Sequence, residues 1–204
     1  MTENETDTEQ KIFEAACRIF EQKGFDGARM QEIADEADIN KSMLHYYYRS
    51  KDKLFQKVYQ KEMGRFLPVI FDLWNADLPL DKKIREVVEA YYAFLNENPR
   101  IAQFVIHEMN QNPERFQDFL AKLDLKVPQN FNRQIDREIK QENINEIDPR
   151  QLIISVVALT HFPVIARTMV KSINNFDDEA FQQFMEERKQ FLVDFILNGI
   201  NYQK

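Results

Sequence analysis

Apolar residues recur at intervals of three and four along almost the whole chain, and no segment alternates with period two for long. That spacing restricts the chain to helices that each bury one face. Ile12, Phe13, Ala16, Ile19 and Phe20 mark a first helix, stopped by Gly24 after Lys23. Ile84, Val87, Val88, Tyr91 and Leu95 mark another. Asn98-Pro99, Asn112-Pro113 and Asp148-Pro149 each pair a capping residue with proline at the first helical position, which predicts three helix starts. A final helix is expected from Asp177 to Asn198, with Phe181, Phe184, Phe191, Leu192 and Phe195 on one face and Gly199 as its stop. The expectation is an all-α fold of about nine helices.

Composition narrows this further. Four glycines in 204 residues leave little room for sandwiches, barrels or glycine-rich phosphate loops. With 44% hydrophobic and 30% charged residues the chain can build a core, so extensive disorder is excluded. The polar, acidic first eight residues read as a disordered tail and not as a signal peptide. The single cysteine, Cys17, rules out an internal disulfide and a multi-thiolate metal site. It reads as a small core residue in a reducing, cytoplasmic protein. Pro128 and Pro163, with Pro68 as a third candidate, fall inside helical patterns and should kink or break them. The most apolar stretch, 152–166, is shorter than the roughly 20 residues a membrane span needs, and reads as a buried or interface helix.

Net charge is −7, yet residues 40–61 hold six of the 27 Lys and Arg side chains and one of the 34 Asp and Glu. Such a patch on an acidic body can grip phosphates, although a solvated lysine-rich helix face would look the same.

Residues 24–55 carry the most information. A short helix from Met30 to Ala37 holds Ile33, Ala34 and Ala37 on one face, and the small alanines permit close helix approach. The turn Asp38-Ile39-Asn40 follows, with Ile39 as a plug and Asn40 as N-cap of a second short helix, Lys41 to Tyr47. Leu44 and Tyr48 can face inward, which frees Lys41, Ser42, Met43, His45 and Tyr46 to face outward. This is a helix-turn-helix pattern, whose second helix enters the DNA major groove. Lys41 and Ser42 sit at its amino end, where base edges come closest. His45, Tyr46 and Tyr47 suit phosphates and sugars, and Lys51 could reach a phosphate from the start of the next helix. Tyr48, and alternatively Tyr47, would be core.

With those residues in view, the segment resembles the amino-terminal DNA-binding domain of the TetR family of bacterial transcriptional regulators. The matching elements are Gly24-Phe25, Ile33-Ala34, Ala37-Asp38-Ile39-Asn40, Ser42, Leu44-His45-Tyr46-Tyr47-Tyr48 and Lys51-Asp52-Lys53-Leu54. Three positions depart from the family pattern. Ala28-Arg29 replaces a Thr/Ser cap, so that Arg29 would touch phosphate by charge; Asp38 replaces the turn glycine; His45 replaces a tyrosine.

The resemblance implies a three-helix DNA-binding domain over 1–55 and a helical ligand-binding and dimerisation domain over 56–204. It implies a homodimer through the last two helices, double-stranded DNA with a near-palindromic operator as partner, and a small-molecule effector. Independently, the helices at 149–171 and 177–198 are apolar over more than one stripe, including Ile153, Val156, Val157, Phe181, Phe184, Phe191 and Phe195, which suggests an oligomer contact. Trp74, Tyr91, Tyr92, Phe104, His107, Met109 and Phe116 are candidate pocket residues for a hydrophobic or aromatic ligand, against the plainer reading of ordinary core. His161, before Phe162-Pro163, would satisfy a carbonyl exposed by the proline kink.

These features favour a repressor released from its operator by a small molecule, although sequence does not separate repression from activation. The alternative is an all-helical ligand carrier or enzyme using the helix-turn-helix as scaffold. With His45, His107 and His161 far apart and no HExxH or CxxC, no catalytic residue, metal ligand or cofactor is expected.

Overall fold

In the computed structural model, the residues described are 3–97, 106, 109–110, 113–123 and 128–201. Among them are ten helices: α1 (Glu3–Gly27), α2 (Met30–Glu36), α3 (Lys41–Tyr47), α4 (Lys51–Asn75), α5 (Leu80–Glu97), α6 (Pro113–Lys122), α7 (Gln129–Lys140), α8 (Pro149–Ile165), α9 (Arg167–Asn174) and α10 (Asp178–Gly199). The fold is all-α. The chain divides into two compact units, Met1–Arg65 and Phe66–Lys204, so α4 contributes residues to both.

In the first unit α1 starts at Glu3, where a disordered tail was expected. Acidic residues are favourable at a helix amino terminus, and Asp7 pairs with Lys11 one turn on at 2.7 Å. Gly24 ends the regular part of α1 with φ 71°, a left-handed conformation that costs glycine nothing. Ile12, Phe13, Ala15, Ala16, Ile19 and Phe20 are buried, and Cys17 is half-buried. Phe55 meets Phe20 and Phe25 edge to face, centred 4.6 Å from the first and 5.2 Å from the second.

In the second unit α5 packs against α8 and α10. Its face of Leu80, Ile84, Val87, Val88, Tyr91 and Leu95 is buried. At roughly 1.5–3 kcal/mol per large apolar side chain, that face alone is a major stabilising element. Asp148 caps α8, its side chain accepting from the Arg150 amide at 2.8 Å, with Pro149 at the first helical position. Pro113 likewise begins α6, whereas Asn98-Pro99 and Asn112 lie outside the described residues.

Three expectations need correcting. The helix foreseen at 149–171 is two helices, because the chain bends by 70° between α8 and α9 just beyond Pro163. Pro128 lies at the boundary before α7 and not inside a helix, whereas Pro68 sits within α4. On α10 the phenylalanines of that face are not equally covered. Phe181 is buried with Met185, Leu192, Val193 and Ile196, while Phe191 and Phe195 are exposed and stack at 5.8 Å. Among the described residues no single helix is long and apolar enough to cross a membrane.

Candidate nucleic-acid interface

The interface begins with the turn between α2 and α3. Asp38 takes φ 53° immediately after the C-cap Ala37. Its amide donates to the Asp35 carbonyl at 3.2 Å, and the Ile39 amide to that of Ala34 at 3.0 Å. These two bonds form a Schellman motif, which normally recruits glycine at the position held by Asp38. Asn40 then caps α3, its side-chain oxygen accepting from the Met43 amide at 2.8 Å.

α3 is fixed from beneath. Leu44 has no exposed surface, and Tyr48 is buried with its hydroxyl donating to Glu9 at 3.1 Å. Burial, aided by the Glu9 carboxylate, pushes the Tyr48 hydroxyl well above its ordinary pKa, so it stays a donor. With Leu44 inward, Lys41, Ser42, Met43 and His45 are exposed, and Tyr46 is 77% exposed. The Tyr47 ring is half-buried and meets Tyr46 edge-on at 5.5 Å.

Arg29 is exposed at the N-cap of α2, and its backbone amide donates to Glu32 at 3.3 Å. Glu32 also accepts from Lys23 at 2.9 Å, and this bond holds its carboxyl below the usual range. Arg18 bridges to Glu36 at 2.7 Å, a second tie between α1 and α2.

Two lysines of the basic stretch are already engaged. Lys51, expected at a phosphate, turns back: its ammonium donates to the Ala28 carbonyl at 3.1 Å and lies 4.4 Å from the Phe25 ring centre. Lys61 donates to Gln10 at 3.2 Å and covers Phe13. Lys41, Arg49, Lys53 and Lys57 remain exposed. The free cationic face is therefore smaller than the residue count suggested.

The chain matches the model of bacterial regulatory proteins of the tetR family over residues 12–58. It matches that of the tetracyclin repressor-like C-terminal domain over residues 81–196. The chain belongs to the TetR family. It is thus a helix-turn-helix transcriptional regulator, and α2 with α3 is the helix-turn-helix. Among its relatives is the regulator RutR of Escherichia coli, 26% identical over 196 residues that cover 91% of this chain and 88% of RutR. An uncharacterized HTH-type transcriptional regulator of Haemophilus influenzae is 25% identical over 101 residues, half of this chain and 54% of that protein. The fold is shared with FadR of Bacillus subtilis, solved in complex with stearoyl-CoA, at a TM-score of 0.63 and 16% identity over 94% of this chain and 98% of that one.

In this TetR-family chain the expected pocket residues separate into three groups. Trp74, Tyr91 and Tyr92 are buried: Trp74 packs on Phe131 at 4.6 Å, and Tyr91 meets Phe66 and His161 edge-on, each at 5.0 Å. Phe116 is half-buried and Met109 exposed. Phe104 and His107 lie outside the described residues.

His161 does bond a carbonyl, that of Val157 at 2.9 Å, but this is not the one that Pro163 leaves free. A proline at 163 cannot donate to Leu159, and the Leu159 carbonyl is taken by Arg188. Burial pulls the His161 imidazole below its ordinary pKa. Near it the Tyr92 hydroxyl and Arg188 Nε are buried without a well-formed hydrogen bond. Arg188 was not foreseen: it stands in the charged run Glu186-Glu187-Arg188-Lys189 of α10, where nothing in the sequence marks it off from a solvated neighbour.

Proposed function

We propose that this chain is a homodimeric repressor that holds a near-palindromic operator and releases it when a small hydrophobic or aromatic molecule binds. In this reading residues 1–55 bind DNA, and residues 56–204 bind the effector and the partner subunit. The observation that carries it is the outward row of Lys41, Ser42, Met43, His45 and Tyr46 on a helix locked underneath by Leu44 and Tyr48. Lys41, Ser42 and Met43 read base edges; His45, Tyr46, Tyr47 and Arg29 take phosphates and sugars. Lys51 serves the same surface by holding the turn that carries Arg29.

Support for dimerisation comes from apolar side chains left uncovered on two helices: Ile154 and Phe162 of α8, Phe191 and Phe195 of α10. A two-fold dimer through these faces sets the two α3 helices one DNA turn apart, roughly 34 Å. The effector would contact Trp74, Tyr91, Tyr92, Phe104, His107, Met109 and Phe116, acting through unequal affinity for the DNA-bound and free conformations. An apolar effector agrees with the acyl chain carried by the B. subtilis neighbour. The protein works in the cytoplasm, beside its DNA, and catalyses no reaction.

Fluorescence anisotropy on duplexes from the protein's own upstream region, across a salt series, tests this. Binding that weakens steeply with salt and follows one palindrome supports it. Absence of binding to every candidate palindrome, or salt-independent binding, overturns it.

A further inference from the structure

A polar cleft of about 380 Å³ opens in the second unit where the end of α4 meets α5 and α7. Lys83 of α5 and Gln134 of α7 line it, yet they are only 1% and 6% exposed. Lys83 spends one ammonium hydrogen on the Trp74 carbonyl at 3.0 Å, which caps α4 and leaves two more donors. Gln134 gives its amide hydrogen to the Leu78 carbonyl at 2.9 Å, and that bond fixes which atom is its oxygen. The oxygen is buried without a partner. Arg133 and Arg137 line the same cleft from α7 and are exposed; Asp77 is the acid in the lining.

A buried cation and a buried, unsatisfied acceptor in one cleft are both costly unless something fills them. The occupant must offer negative oxygen to Lys83 and the two guanidinium groups, and also a hydrogen to Gln134. Sulfate meets the first demand and fails the second. Hydrogen phosphate meets both. We propose that this cleft binds inorganic phosphate as hydrogen phosphate. None of the seven expected effector contacts lines it, so the site stands apart from the effector reading.

The test is calorimetric titration of the full-length protein near neutral pH, at constant ionic strength, with orthophosphate, sulfate and methyl phosphate. Orthophosphate is expected to bind at least tenfold more tightly than sulfate. Methyl phosphate, a dianion without the ionisable hydrogen near neutral pH, should behave as sulfate does. Gln134→Met should bring orthophosphate down to the sulfate level. Arg133→Gln with Arg137→Gln, both at exposed positions, should weaken orthophosphate about tenfold and leave folding intact. Equal affinity for orthophosphate and sulfate overturns the proposal. So does unchanged orthophosphate affinity in the double arginine variant, a result that stands even if Gln134→Met fails to fold.

Discussion

Arg188 of α10 donates from Nη2 to the Leu159 carbonyl of α8 at 3.3 Å. That carbonyl is the one deprived of its helical partner by Pro163. The helix end is thereby completed by a side chain from the neighbouring helix, and the two helices are tied at the residue where α8 nears its bend.

Arg188→Met should therefore cost about 1 kcal/mol, since it leaves a part-buried carbonyl without its partner. Adding Pro163→Ala restores a backbone donor to Leu159 and should recover part of the loss. Urea unfolding of the single and double variants measures the coupling. Strict additivity would mean that the two positions do not share the carbonyl.

His161 makes stability depend on pH. Its folded pKa is lowered by burial, so the unfolded chain takes up the proton first. Stability should fall as pH drops below the ordinary histidine value of about 6.5, and level off once the folded imidazole also protonates. The urea midpoint followed between about pH 7.5 and 5.5 should show this fall, and His161→Gln should flatten it.

Asp38→Gly should stabilise the protein by roughly 0.5–1 kcal/mol, because the φ of 53° suits glycine better than a residue with a Cβ. Thermal unfolding reads the gain as a rise of a few degrees.

Lys41→Ala and Tyr46→Ala should leave the unfolding midpoint within about 0.5 kcal/mol of the native value, as exposed positions do. Both should abolish or sharply weaken operator binding, and Lys41→Ala should relax discrimination at the base pair it reads. Leu44→Ala is the contrast: a fully buried position, with a loss of about 2–5 kcal/mol.

Phe195→Glu should convert the dimer to monomer in analytical ultracentrifugation without disturbing helicity. A charge at this exposed site costs the isolated subunit little, but would be buried in the proposed interface.

Helix identity was legible wherever a periodic face coincided with a cap, as at Asn40 and Asp148. The helix-turn-helix could be read because its geometry is local: cap, turn and plug all lie within about twenty residues. What could not be read depended on distant partners. That Lys51, expected at a phosphate, also bonds the Ala28 carbonyl depends on a partner 23 residues away in the chain. Phe191 and Phe195 fell into one stripe with Phe181 because a pattern of apolar residues does not say which side a neighbouring helix covers. Lys83 left a trace, a lysine four residues before Val87 on the apolar face of α5, but its meaning depends on Trp74 and Gln134.

The bond between Tyr48 and Glu9 has a practical corollary for anyone handling this protein. The far end of the recognition helix is latched to Glu9, one residue beyond the eight that read as a disordered tail. Trimming the chain past Glu9, or fusing a bulky purification tag there, would slacken the orientation of α3 and blunt sequence discrimination while the remaining helices stay folded.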